Sequence, residues 1–249
     1  MNDWWAIYPS HSFNAHIPRK ARIFANQFFP TTTYMIKGIR HIIFDLGGVL
    51  LNIDYSATEK AFADLGIADF HTKFSQLSQT DFFDDWETGK INQDAFISGM
   101  REAANGVQLS DSQILQAWNA MLLDFPLRRL QILQQLRIYY DLFLLSNTNE
   151  THERAFNNTL KENHGIPSIG HFFDKVYYSH RVGLRKPGKE IFQLILDENN
   201  LKPEHTLFID DSPQHIETAK SLGIQTIHLE KGMSIEEHVF LPKDHSNAH

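Results

Sequence analysis

The sequence predicts an α/β fold: a doubly wound, Rossmann-like parallel sheet core with an inserted helical cap domain. Two observations predict it. Short apolar runs alternate with amphipathic stretches from residue 40 to residue 229, as parallel strands buried on both faces do. One stretch, 56–126, has helical spacing and no comparable strand, and it directly follows the first apolar run.

The first strand is expected at 40–45 (RHIIFD), ending in Asp45. The next is 141–145 (DLFLL), ending before Ser146, and a third is 174–178 (DKVYY). The fourth, 205–210 (HTLFID), ends in Asp210, and 225–229 (QTIHL) closes the series. Between them, Ile191, Phe192, Ile195 and Leu196 fall on one face of a helix over 187–199, with Pro187 in its first turn, where a missing N–H costs nothing. A helix over 213–222 is expected to start at Ser212-Pro213 and stop at Gly223. The insert reads as helices at 56–65, 92–104 and 110–123, with a helical or irregular piece near 74–87. Ser110 and Gln113 form a capping-box pattern ahead of Ile114 and Trp118. The domain reading is therefore a core of 38–53 and 127–232, a cap of 54–126, and a polar tail of 233–249.

Residues 1–37 read as an extension. The segment 1–34 holds Trp4, Trp5, Phe28, Phe29, Pro9, Pro18 and Pro30 without a period, and Met35, just ahead of the first strand, reads as a natural start.

Composition bounds the function. The chain has 249 residues, enough for a sizeable core, and 42% are apolar. The net charge of −7 lacks the basic field of nucleic-acid binding and favours a small-molecule ligand held by local cations. There is no cysteine, which excludes thiolate chemistry and disulfides and fits a reducing, cytoplasmic setting. No apolar run has the ~18 residues of a membrane span. The 14 histidines are scattered without metal-ligand spacing.

Four segments place polar residues at strand ends: Asp45 in FDLGGVL, Ser146-Asn147 in LLSNTN, Lys186 in GLRKPGKEIF, and Asp210-Asp211 in FIDDSPQHI. The carboxyl edge of a doubly wound sheet is where ligands bind. One carboxylate to attack, a hydroxyl and amide for phosphate oxygens, a lysine against negative charge and two more carboxylates for a hard cation suit one task. That task is phosphoryl transfer with Mg²⁺.

These motifs, in this order and over residues 40–229, resemble the haloacid dehalogenase-like (HAD) superfamily. The order excludes a receiver domain, whose acid pair lies on the first strand. The resemblance implies Asp45 as nucleophile and metal ligand, the carbonyl of Gly47 as a second ligand, and Asp210 and Asp211 completing the Mg²⁺ site. It implies Ser146, Asn147 and the following N–H groups on the phosphoryl oxygens, with Lys186 bridging phosphoryl group and nucleophile. Most of the superfamily's phosphatases carry a second aspartate two residues after the nucleophile, as acid and base for the leaving group. Here that position is Gly47.

Three readings follow: a phosphatase acting on a small phosphate ester, a metal-free 2-haloacid dehalogenase, or a binding or regulatory protein. The acid pair favours the first, because it would repel a carboxylate substrate. FDLGGVLLNID, WNAMLL, LLSNTN, GLRKP and FIDDSPQHIETAKSLGI resemble the bacterial α-D-glucose-1-phosphate phosphatase branch, which shares the glycine; an anomeric leaving oxygen needs less protonation. Gly48 and His215 depart from that branch, which has asparagine at both positions. Asp54 is a further candidate for substrate binding or proton supply, set against an N-cap or hinge role. His215 reads as structural, with Asp211 or a loop as its partner. Phe82, Phe83 and Trp86 read as cap core.

Overall fold

In the computed structural model, residues 35–67, 81–104 and 106–240 are described. Residues 1–34 of the expected extension, the start of the piece near 74–87 and the end of the polar tail lie outside them.

Five strands form one parallel sheet: β1 (His41–Phe44), β2 (Asp141–Ser146), β3 (Lys175–Tyr178), β4 (Thr206–Asp210) and β5 (Gln225–His228). Their order is β3-β2-β1-β4-β5. The chain winds outward from β1 through β2 to β3, then returns to β1's other edge at β4. That reversal opens a crevice at the carboxyl ends of the strands.

The period-two alternation of a strand sorts the core into two layers. Ile42, Phe44, Leu142, Leu144, Leu207 and Ile209 face one layer, with α5 (Leu127–Leu136) and α6 (Glu150–His164). Ile43, Phe143, Leu145 and Phe208 face the other, with α8 (Lys189–Glu198), which follows the short α7 (Ser179–Val182), and α9 (Pro213–Ser221). Every one of these strand residues is buried. Continuing each strand by two residues, Asp45 follows Ile43 and Asp210 follows Phe208, so both carboxylates leave the sheet on the same side.

The insert packs a separate apolar cluster. It is made of α1 (Tyr55–Asp64), α2 (Phe82–Glu87), α3 (Gln93–Ala103) and α4 (Asp111–Asn119), with Phe62, Phe96, Met100, Ile114 and Trp118 at its centre. The Ser110–Gln113 capping box forms reciprocally. Phe83 and Trp86 are buried in this cluster, with Trp86 stacked on Phe96 at 4.8 Å and Phe83 on Trp118 at 5.6 Å.

Several expectations shift. The helix expected over 110–123 stops at Asn119, because the chain beyond it pairs with the segment leaving β1. Asn52 N–H donates to Asp124 O, Leu123 N–H to Asn52 O, and Asp54 N–H to Met121 O. This two-stranded hinge joins core to insert. The 187–199 helix begins only at Lys189, so Pro187 precedes its first turn. Ser212 is the N-cap residue of α9 but makes no side-chain cap; Pro213 follows at the first position, and Gly223 takes φ 82 just past the end.

The tail boundary at 233 is also corrected. Ile235 and Phe240 are buried in the first core layer, and Arg129 pairs with Glu236 at 2.9 Å while donating to Asn52 at 3.0 Å. Ile36 likewise packs on this layer, its N–H donating to the Tyr140 hydroxyl. Among the described residues, no helix is long and apolar enough to cross a membrane.

Candidate active site

The register of β1 with its neighbours brings the strand-end motifs together. Phe44 pairs with Leu144 on one side and Ile209 on the other, so Asp45, Ser146 and Asp210 emerge side by side. Asp45 is anchored by its own N–H, which donates to Ile209 O at 2.9 Å.

Lys186 crosses to this edge from the loop after β3. It is 1% exposed, and its Nζ lies 2.7 Å from Asp45 Oδ1 and 2.7 Å from Asp210 Oδ2. Nζ also donates to Leu145 O at 3.2 Å and stands 5.5 Å from the centre of the Phe208 ring. Asn147 fixes this lysine by its main chain: Lys186 N–H donates to Asn147 Oδ1 at 2.9 Å, and Asn147 Nδ2 donates to Lys186 O at 2.8 Å. The Asn147 side chain, expected on phosphate, thus gives its Oδ1 and one Nδ2 hydrogen to the Lys186 main chain. The Thr148 N–H is engaged too, donating to Ser179 Oγ at 2.9 Å. Of the anticipated phosphate-side donors, the Asn147 N–H remains, and the Ser146 hydroxyl makes only a long 3.4 Å bond to Asn147 O.

Asp45, Asp210 and Asp211 have carboxylate oxygens within 4.8 Å of one another. Burial pushes the Asp45 carboxyl up to about 7 against the pull of Lys186. Burial acts on Asp210 in the same direction, but Lys186 and His215 outweigh it and hold that carboxyl below its usual range. Burial, then Asp210, raises Asp211. Three carboxylates thus share one lysine, and two negative charges go unbalanced when all are ionised. Oxygen donors with an excess of negative charge fit a hard divalent cation.

His215 contacts Asp210, at 3.0 and 3.1 Å from its Nδ1, and not Asp211. With Ser212 N–H at 2.7 Å and Lys186, it leaves Asp210 fully engaged, whereas Asp211 is exposed. Gly48 explains one departure from the branch pattern. It has φ 74, and a Cβ there would lie 2.3 Å from Asp211 Oδ2. The glycine with left-handed backbone is thus Gly48; Gly47 is not among the positive-φ glycines.

A cavity of about 200 Å³ opens at this edge. Its core wall includes Leu46, Gly47, Ser146 and Asn147; its insert wall includes Tyr55, Phe83, Glu87 and Trp118. Asp54 does not line it. Its carboxylate is the N-cap of α1, accepting from Ser56 N–H at 2.9 Å and Ser56 Oγ at 2.6 Å, so the substrate-binding expectation is corrected to the capping one.

The sequence reading passed over Glu87, His152 and Tyr55, which all line the cavity. Two left a signal. Glu87 is a carboxylate in the last turn of a helix, against the helix dipole. His152 precedes Phe156 and Leu160 at four-residue steps, on the buried face of α6. Burial lowers its pKa to about 4, so it is neutral, and contact with the Trp118 carbonyl at 3.3 Å requires that its Nε2 carry the proton.

Residues 39–223 match the model of the haloacid dehalogenase-like hydrolase family. A D-ribitol-5-phosphate phosphatase from Bacteroides thetaiotaomicron is 34% identical over 194 residues, 78% of this chain and 93% of that protein. A solved HAD family enzyme from the same organism, in complex with magnesium and inorganic phosphate, matches with a TM-score of 0.70 at 34% identity, over 78% of this chain and 96% of the other. A HAD-like family hydrolase from Porphyromonas gingivalis matches with a TM-score of 0.70 at 33% identity, over 78% of this chain and 92% of the other.

Proposed function

This chain belongs to the haloacid dehalogenase-like hydrolase family, and on that footing we propose that it is a Mg²⁺-dependent phosphatase of a small sugar or polyol phosphate. The observation that carries this reading is Lys186 Nζ, buried and 2.7 Å from both Asp45 and Asp210, beside a third carboxylate. Asp45 is the nucleophile. Its carboxylate oxygen bonds to phosphorus as the ester P–O bond breaks, and water then releases inorganic phosphate from the aspartyl phosphate. Lys186 offsets charge on the phosphoryl oxygens, and the Ser146 hydroxyl and Asn147 N–H bind them. Asp45, Asp211 and the Gly47 carbonyl would hold the cation, with Asp210 shaping the site through Lys186 and His215. When bound, Mg²⁺ supplies positive charge against the phosphate and keeps Asp45 ionised.

The two nearest chemical suggestions differ in their leaving group. The glucose-1-phosphate branch implies an anomeric oxygen, and the ribitol-5-phosphate relative a primary alkoxide. The crowded carboxylates weigh against a 2-haloacid, whose own carboxylate they would repel. A panel of sugar 1-, 5- and 6-phosphates, D-ribitol 5-phosphate and 2-haloacids, with Mg²⁺ or chelator, tests the reading. Magnesium-dependent phosphate release is expected. Chelator-insensitive halide release, or ligand binding without turnover, would overturn it in favour of a dehalogenase or a binding protein respectively.

A further inference from the structure

We propose that Glu87, presented to the cavity by the helical insert, is the acid that protonates the leaving oxygen, in place of the side chain that Gly47 lacks. The inference rests on the phosphatase reading above and supplies its missing proton.

Position comes first. Glu87 ends α2 and lines the same cavity as Gly47 and Ser146. Its Oε2 is buried and accepts no hydrogen bond of good geometry. The charged and titratable groups that face it are Arg185 and Lys186 from the loop after β3, Tyr55 from α1, and, through Arg185, Asp84 on its own helix; Glu59 of α1 lines the same cavity. Arg185 Nη2 lies 3.0 Å from Glu87 Oε2, and the same guanidinium pairs with Asp84. One dipeptide therefore sends Lys186 to the nucleophile and Arg185 to Glu87.

The other proton carriers on the cavity wall are committed or unsuited. The neutral His152 gives its proton to the Trp118 carbonyl. The Thr58 hydroxyl donates to the same carbonyl at 3.1 Å. Tyr55 is 67% exposed, and partial desolvation, then Asp211 and Asp45, raise its phenol to about 12, a weak acid. Glu59 is exposed.

Glu87 itself lies between opposing influences. Burial pushes its carboxyl up to about 7, and Lys186 pulls the other way. Arg185 also favours the carboxylate that remains after the proton leaves. A carboxyl with both forms accessible near neutral pH suits an acid that must turn base within one cycle. In the first half-reaction, the P–O bond breaks and the departing alkoxide takes the Glu87 proton. In the second, the Glu87 carboxylate takes a proton from the water that attacks the aspartyl phosphate. Glu87 and Asp45 are then regenerated, with one alcohol and one inorganic phosphate released.

The test compares the native protein with Glu87→Gln, both with Mg²⁺, on 4-nitrophenyl phosphate and on D-ribitol 5-phosphate or another alkyl phosphate. The aryl leaving group departs as a stable anion and needs no proton. Because the second half-reaction is common to both esters, kcat/KM, which reports the first half-reaction alone, is the quantity compared: Glu87→Gln is expected to lower it for the alkyl ester by about 10²-fold or more, with less than about 5-fold change for the aryl ester. The native alkyl rate should also fall as pH rises through 7, and the variant should lack that limb. Asp84→Asn, which removes the other partner of Arg185, serves as a control and should not separate the two esters. Equal losses on both esters, or none, in a variant with native melting behaviour would overturn the inference while leaving the phosphatase reading intact. No magnesium-dependent release of nitrophenol by the native protein would overturn both.

Discussion

Replacing Lys186 with methionine isolates the electrostatics on which the site rests. Methionine keeps an unbranched side chain over the Phe208 ring and removes the charge. At 2.7 Å, each lysine–carboxylate pair has a Coulomb energy of roughly 6 kcal/mol at an effective dielectric of about 20, before desolvation is subtracted. Burying the ammonium and two carboxylates consumes most of that sum, so the net loss on breaking the network is expected at about 3–5 kcal/mol.

The pH dependence gives a sharper signature. In the native protein the Asp45 carboxyl is raised by burial to about 7. The folded state therefore holds a proton that the unfolded state has lost, and its stability falls as pH rises from about 4 to 7, then levels off. Asp210 is held low, so its contribution is present above about pH 4 and is lost only in stronger acid. Without Lys186, the Asp45 carboxyl rises further, and stability should keep falling above pH 7 by up to about 1.4 kcal/mol per unit. Urea unfolding in EDTA at pH 7, 7.5, 8 and 8.5 measures this. A variant as flat as the native protein over that range, or equally stable at pH 8, would refute the network as described.

Asp45→Asn should abolish turnover on every ester while raising stability in EDTA at pH 8, because it removes a buried charge; a less stable or still active variant would contradict this. Gly47→Asp in the Glu87→Gln background should recover part of the alkyl phosphate turnover. The new Cβ meets only Ile53, at 3.2 Å from Cδ1, and needs no left-handed backbone; a phosphate-release assay that shows no recovery would argue against a shared proton position. Phe240→Ala should cost about 3–5 kcal/mol in urea unfolding, since Phe240 is 1% exposed and packs on Phe44. A loss under about 1 kcal/mol would mean that the core ends where the sequence placed it.

The sequence alone determined the sheet, its strand-end acids and the helical insert. These features depend on local pattern: five short apolar runs, helical spacing over 56–126, and polar residues just past the runs. Strand burial and helix amphipathicity are written in that spacing. The tertiary structure decided which polar atoms are still free. Asn147 looked like a phosphate ligand, but its side chain closes on the Lys186 main chain 39 residues away. Asp54 turned inward to its own helix, and His215 chose Asp210 over Asp211. Phe240 joined a core whose other half was laid down by Phe44 almost two hundred residues earlier. Glu87 carries only a weak mark within its helix, an acid in the last turn, and that mark does not say what the side chain faces. Its place on the cavity that Gly47 also lines arises only when the hinge at 52–54 and 121–124 sets the insert against the carboxyl edge of the sheet. A hydrogen bond or an approach of this kind depends on distances between segments remote in sequence, and spacing along the chain does not encode them.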